Sequence, residues 1–343
     1  MYHLYNRVSK VLTGILILLV ISGCATTQDK PTFAQLDAKL ILDENGCYVG
    51  EGYDEIENSC YFDCTELSDE ECDIQYDSFY SGLDSFIADD FQGHDDIDTD
   101  EIDSREIAKY AVNKSLELSA ISNLEPANEE NYREIWSVAL SILPSEFLSK
   151  EVVEYHVTTD GADNTLAFVV LNDDEVEKWN FAIDPADYSD KNNKDFIHTI
   201  IHEFAHIAFL NATQVDLTEY ESCENYWITE GCTYPESYIN QYYDEFWADI
   251  IQDNPSALAD EDAENEEEVY EFYEKYQSHF VSDYAATNPV EDAAEVFVHF
   301  VLRSKPLTPK TISDKKIAFL HQFPELLKFR NIIRIKLKKR QPL

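Results

Sequence analysis

Residues Asp195–Asn211 read Asp-Phe-Ile-His-Thr-Ile-Ile-His-Glu-Phe-Ala-His-Ile-Ala-Phe-Leu-Asn, a segment apolar on almost every side that nonetheless carries three histidines and a glutamate. Ile197, Ile201 and Ala208 recur along one helical face and Ile200, Phe204 and Ile207 along another, so a helix here is largely buried. An Asn or Asp opens it and Asn211 closes it. Buried polar side chains need partners, and a metal ion supplies two at once. His202 and His206 are four residues apart, which stacks both imidazoles on one face within reach of a single tetrahedral ion. Glu203 projects about 100° further round, beside an open coordination position, where a carboxylate can take a proton from a bound water. His198 lies one more turn back. Three consecutive helical turns would be stretched across one ion, so His198 reads as a structural or supporting residue and not a ligand.

A catalytic site of this kind needs a third protein ligand. The metzincin pattern requires Gly and His three and six residues after the second His, but Phe209 and Ala212 stand there, and Met1 is the only methionine, so that subclass is excluded. The best alternative is a carboxylate from Asp283-Tyr284-Ala-Ala-Thr287-Asn288-Pro289-Val-Glu291-Asp-Ala-Ala-Glu295-Val-Phe297. Asn288 can cap a helix, Pro289 suits its first position, and Val290, Ala294, Phe297 and Val301 form its buried stripe. Glu291 is either a capping-box carboxylate paired with Asn288 or the ligand. Glu291, Glu295 and His299 recur every four residues, a pattern that a solvated stripe also produces. Tyr284 stands where a phenol could reach an oxyanion at the metal, and Glu295 could accept the other ring N–H of a ligating His.

His202-Glu203-Phe-Ala-His206, followed by Tyr284-Ala-x-Thr287-Asn288-x-x-Glu291-x-x-Ala-Glu295-x-Phe297, resembles gluzincin-type zincin metallopeptidases: the catalytic domain of anthrax lethal factor and zinc-binding metallopeptidases found as bacterial surface lipoproteins. The resemblance covers residues 150–335. It implies Zn2+ held by His202, His206 and Glu291, Glu203 as general base, Tyr284 as an oxyanion-stabilising phenol and Glu295 as support for a ligand. The chain departs in carrying Ala285 where lethal factor has Gly, and in a long, acidic, Cys-bearing stretch between the two blocks.

The remainder sets compartment and organisation. The 343 residues carry a net charge of −44, a field that repels phosphate backbones and excludes nucleic acid as a partner. The charge is uneven: from Arg303 onward there are 12 Lys and Arg and only Asp314 and Glu325 as acids. Arg7 and Lys10 precede the apolar run Val11–Ile21, which is shorter than a spanning helix and ends in Ile21-Ser22-Gly23-Cys24. Small residues leading into Cys resemble a bacterial lipobox, implying lipidation at Cys24 and an extracytoplasmic, membrane-anchored protein; Ala25 favours the outer membrane or cell surface. Six further cysteines fit that compartment as disulfides. Cys223 and Cys232 close a short loop and Cys47, Cys60, Cys64 and Cys72 pair among themselves, in preference to zinc ligation at Cys60-x3-Cys64.

We divide the chain into a signal peptide (1–24), a tether (25–40), a Cys-stapled acidic region (41–103) and a catalytic domain (104–343) with an acidic, Cys-bearing insertion at 212–282. The run Asp96-Ile-Asp98-Thr-Asp100 lacks the Gly and Glu of an EF-hand and reads as solvated linker. Helices are predicted over 104–120 and 129–142, strands at Val152–Thr158, Thr165–Leu171 and Glu177–Ile183, and a core-facing aromatic helix over Ser237–Ile251. The basic tail, Ile317–Arg340, reads as a closing helix. The expected fold is α+β and zincin-like: a short twisted sheet above the HExxH helix, the glutamate helix below, and a mostly helical C-terminal part. Glu177–Ile183 is the expected edge strand for aligning a peptide. The expected function is a zinc metalloendopeptidase acting on protein or peptide substrates. A catalytically inactive metal-binding adhesin or scaffold and a zinc amidase acting on cell-wall peptides are the alternatives.

Overall fold

Residues 104–120, predicted as a helix, instead form a hairpin. The computed structural model describes residues 51–54, 59–62, 68–88, 105–161, 165–217, 223–254 and 266–340. Within it, after the short pair β1 (Glu51–Asp54) and β2 (Ser59–Phe62), strands β3 (Arg105–Val112) and β4 (Leu118–Asn123) pair antiparallel. The helix-forming composition of Arg-Glu-Ile-Ala-Lys misleads because cross-strand pairing outweighs propensity here. A register shift at Lys109/Tyr110 blurs the two-residue period, and Asn113 builds the turn, its side-chain oxygen accepting from Ser115 N (2.8 Å) and Glu117 N (3.0 Å).

The three predicted strands are present as β5 (Val152–Thr159), β6 (Ala167–Leu171) and β7 (Trp179–Ile183), giving a mixed five-stranded sheet in the order β4-β3-β5-β7-β6 with only β5 and β7 parallel. The expected edge strand is corrected: β7 lies between β5 and β6, and all five of its residues are buried, the signature of an interior strand. The edge is β6.

Most of the other described elements are helices. After α1 (Asp69–Phe79), α2 (Glu129–Leu140) and α3 (Ser145–Glu151) comes α4 (Lys194–Leu210), buried over nearly its whole length. A three-stranded sheet, β8 (Val215–Asp216), β9 (Trp227–Ile228) and β10 (Gly231–Thr233), precedes α5 (Tyr238–Phe246), α6 (Glu266–Tyr276), α7 (Pro289–Leu302), α8 (Ile312–Leu320) and α9 (Pro324–Arg340). A Cβ at Gly231 would meet the Asp216 carbonyl oxygen at 2.1 Å, so β8 and β10 approach this closely only with glycine there. Phe204 on α4 packs on Phe297 of α7 and Phe329 of α9, joining the three helices in one core. The basic tail does close the fold, burying Leu326, Phe329, Ile333 and Leu337. Asp77 on α1 accepts from Arg330 and Arg334 on α9, each at 2.8 Å, which fastens the first helix to the last among the described residues.

Cys223 and Cys232 form the expected disulfide. Cys72 is also disulfide-bonded. Cys24, Cys47, Cys64 and the run Asp96–Asp100 lie outside the described residues. Among the described residues no helix is long and apolar enough to cross a membrane.

Candidate metal centre

Two helix starts set the geometry. Asn193 caps α4 by accepting from Phe196 N (3.0 Å), and Asn288 caps α7 by accepting from Val290 N (2.9 Å) and Glu291 N (3.0 Å). With Asn288 serving the free amides, the Glu291 carboxylate turns toward α4. Its Oε2 lies 2.9 Å from His202 Nε2 and 3.4 Å from His206 Nε2, and the two Nε2 atoms are 3.0 Å apart. Two imidazole lone pairs at that separation repel unless a proton or a cation lies between them. A tetrahedral ion with bonds of about 2.0–2.1 Å keeps its ligand atoms roughly 3.3 Å apart. The triangle His202, His206 and Glu291 therefore fits a metal ion, and this grouping can hold one.

Glu295, one turn along α7, fixes which nitrogen of His202 faces that triangle. Its Oε1 lies 2.8 Å from His202 Nδ1 and 2.9 Å from His198 Nε2, while Oε2 accepts from Ser282 Oγ (2.8 Å). A carboxylate only accepts, so His202 donates Nδ1–H and keeps its Nε2 lone pair for the ion. His198 is fixed likewise: its Nδ1 accepts from Ala88 N (3.2 Å), so Nε2 carries the proton given to Glu295. A second triplet, His198, His202 and Glu295, also has donor atoms within 4.8 Å of one another, but its atoms face each other with protons in place and all three residues are buried away from the cleft.

The electrostatics follow from burial and these contacts. Burial depresses the His202 ring, but the hydrogen-bonded Glu291 and Glu295 outweigh it and hold the ring well above the ordinary histidine range. Burial likewise opposes the shift at His206, which Glu291 carries upward. Burial pushes Glu291 and Glu295 up; the histidines overcome it and keep both as carboxylates. Glu203 differs. Burial raises it, the two histidines only partly offset this, and Glu291 raises it further, giving a carboxylate with increased proton affinity. Tyr284 is raised by burial, then by Glu291 and Glu203, so it remains a neutral phenol and a donor.

Glu203, His206, Tyr284 and Glu291 line one end of a cleft of about 590 Å³, with Ala167, Phe168 and Val169 of β6 along one side. The Tyr284 ring lies 5.8 Å from the His202 ring. The structure thus brings together His202, Glu203, His206, Tyr284, Glu291 and Glu295. Sequence reasoning missed that His198 shares the Glu295 carboxylate with His202, although its position four residues before His202 puts it on the same face. It also missed the residues of β9 that border the cleft, which carry no motif. Comparison of the chain with protein-family models, with curated proteins and with solved structures returns no match.

Proposed function

We propose that the protein is a zinc-dependent metallopeptidase of the zincin type, with Glu as its third ligand, anchored outside the cytoplasm through Cys24. The observation that carries this reading is the meeting of the two Nε2 atoms of α4 with the Glu291 carboxylate of α7, beside a buried Glu203 of raised proton affinity at the end of an open cleft. Two imidazoles and one carboxylate are a donor set suited to zinc. Zinc held there would polarise a scissile carbonyl and acidify the attacking water. Glu203 accepts the proton of that water and passes it to the leaving amine. Tyr284 donates to the oxyanion as it develops. Glu295 holds the His202 ring in the required tautomer. β6, the sheet edge beside the site, offers backbone groups to an extended peptide. The Cys223–Cys232 disulfide and the Cys24 lipobox support an extracytoplasmic setting.

The test is Glu203→Gln beside the wild type in a peptide-library digest at neutral pH, with and without chelator, while zinc content is measured. Loss of at least about 10²-fold in cleavage with zinc retained is expected. Cleavage by the variant equal to wild type, or wild-type cleavage insensitive to the chelator, removes the role given to Glu203 and the ion.

A further inference from the structure

Part of the cleft's lining, Asn225–Glu230, comes from the insertion, and it is built and not loose. Asn225 donates to Thr233 O (2.9 Å), Tyr226 N donates to Asn240 Oδ1 (3.0 Å), and Thr233 Oγ1 donates to Tyr226 O (2.7 Å). The Cys223–Cys232 disulfide closes this hairpin, and the Tyr226 ring stacks flat on Tyr243 of α5, with centroids 4.2 Å apart and planes 7° apart. From this braced frame Trp227 lines the cleft while 55 % exposed, with Ile228 beside it and Phe168 of β6 also facing the cleft. A rigidly mounted indole with more than half its surface in water is an anchor for an apolar side chain. Glu230 lines the same cleft, and none of the described residues lining it is Lys or Arg.

We propose that the disulfide-closed hairpin 223–233 is the specificity wall of this cleft, selecting extended peptides that set a bulky apolar side chain against Trp227 and a cationic side chain beside Glu230. This rests on the peptidase reading for its catalytic consequence, though not for binding. Glu230 favours a Lys or Arg residue by direct attraction. The disulfide holds the wall in place before the peptide arrives, so selection costs little ordering on binding.

The experiment uses pairs of extended fluorescent peptides of one otherwise constant sequence, Phe against Ala at one position and Lys against Glu at its neighbour, scanned along the peptide. Wild type, Trp227→Ala, Trp227→Phe and Glu230→Gln are compared by kcat/KM. A parallel arm measures binding of the same fluorescent peptides to zinc-loaded Glu203→Gln, with and without Trp227→Ala. Wild type is expected to prefer Phe over Ala by about 100-fold at one position. Trp227→Ala should shrink that ratio by at least about tenfold and Trp227→Phe should restore most of it. Glu230→Gln should lower the Lys-over-Glu preference by about fivefold while leaving the Phe-over-Ala ratio in place. Ratios unaltered by Trp227→Ala, in cleavage or in binding, overturn the proposal. Selective binding that depends on Trp227 without any cleavage overturns the peptidase reading and leaves this one standing; absence of both binding and cleavage overturns the two together.

Discussion

Replacing Glu291 and Glu295 one at a time separates a metal ligand from the residue that orients one. Glu291 Oε2 approaches the Nε2 atoms of His202 and His206, at 2.9 and 3.4 Å, whereas Glu295 Oε1 approaches His202 at Nδ1, at 2.8 Å, on the far side of the ring, and His198 Nε2 at 2.9 Å. Zinc sites with four protein ligands are worth about 10–16 kcal/mol, roughly 3–4 per ligand, so Glu291→Ala should weaken zinc binding by about two to three orders of magnitude. Loss of a group that orients a ligating His costs about 10- to 100-fold. Glu295→Ala should fall in that range, and Glu295→Gln near its lower end, because the amide oxygen can still accept from both rings while the negative charge is gone. Glu295→Ala also takes from His198, His202 and Ser282 the carboxylate they donate to, at about 1–3 kcal/mol for each buried donor, so the melting of each metal-free variant is measured alongside affinity. Affinity is read by competition with a chelating indicator at fixed pH, since a histidine held protonated must release its proton to bind. If Glu295→Gln abolishes zinc binding while Glu291→Ala retains it, the ion sits in the His198, His202 and Glu295 triplet and the tautomer reasoning fails.

Two further predictions concern stability away from the site. His321 is buried against Phe300, its Nε2 has no partner, and burial followed by Arg330, Lys305 and Arg334 pushes it down to about 2. Unfolded chains take up a proton at this residue below pH ~6.5 that the fold refuses, so between that pH and about 2 stability falls on acidification by up to about 1.4 kcal/mol per pH unit from this group alone. His321→Phe should remove one proton's worth of that slope in urea titrations between pH 7 and 4; an unaltered slope refutes the assignment. Asp77→Ala should cost about 3–5 kcal/mol in chemical denaturation by leaving Arg330 and Arg334 buried without their carboxylate, and a loss below about 1 kcal/mol would mean that the clamp between α1 and α9 contributes little.

What could be read from the chain divides along a physical line. His202, Glu203 and His206 stand out because helix geometry is local: four residues place two rings on one face whatever the rest of the fold does. The start of α7 was legible for the same reason, since Asn288 and Pro289 act within one turn. Pairing between distant strands has no such local signature. The β3–β4 hairpin hid under helix-forming residues, and β7 took the interior position because β6 folds back across it, a fact of topology that four apolar residues out of five only hint at. His198 shows the limit most sharply. Its own helix gives its direction, but its function depends on Glu295, 97 residues away, and on the amide of Ala88, 110 residues away.

The metal triangle spans two helices, so its dimensions depend on how α7 is rotated about its own axis. Glu291 and Glu295 face α4, and Asp292, the residue after Glu291, points elsewhere. There Asp292 Oδ2 accepts from Tyr242 Oη (2.8 Å) and Trp247 Nε1 (2.7 Å) beside α5, and from Lys316 Nζ (2.5 Å) on α8. Asp292 and Lys316 are both fully buried, and an ion pair taken wholly out of water gains little net stability over apolar residues of the same size. What such a pair supplies is direction: a carboxylate held from three donors admits one orientation of the helix, where an apolar contact would tolerate several. Since adjacent helical residues are about 100° apart, fixing Asp292 fixes Glu291. The acidic face toward α4 and the buried ion pair behind it are thus two ends of one positioning device: polar contacts on the far side of the helix set the placement, to a few tenths of an ångström, that a metal ion at the His202, His206 and Glu291 triangle would require.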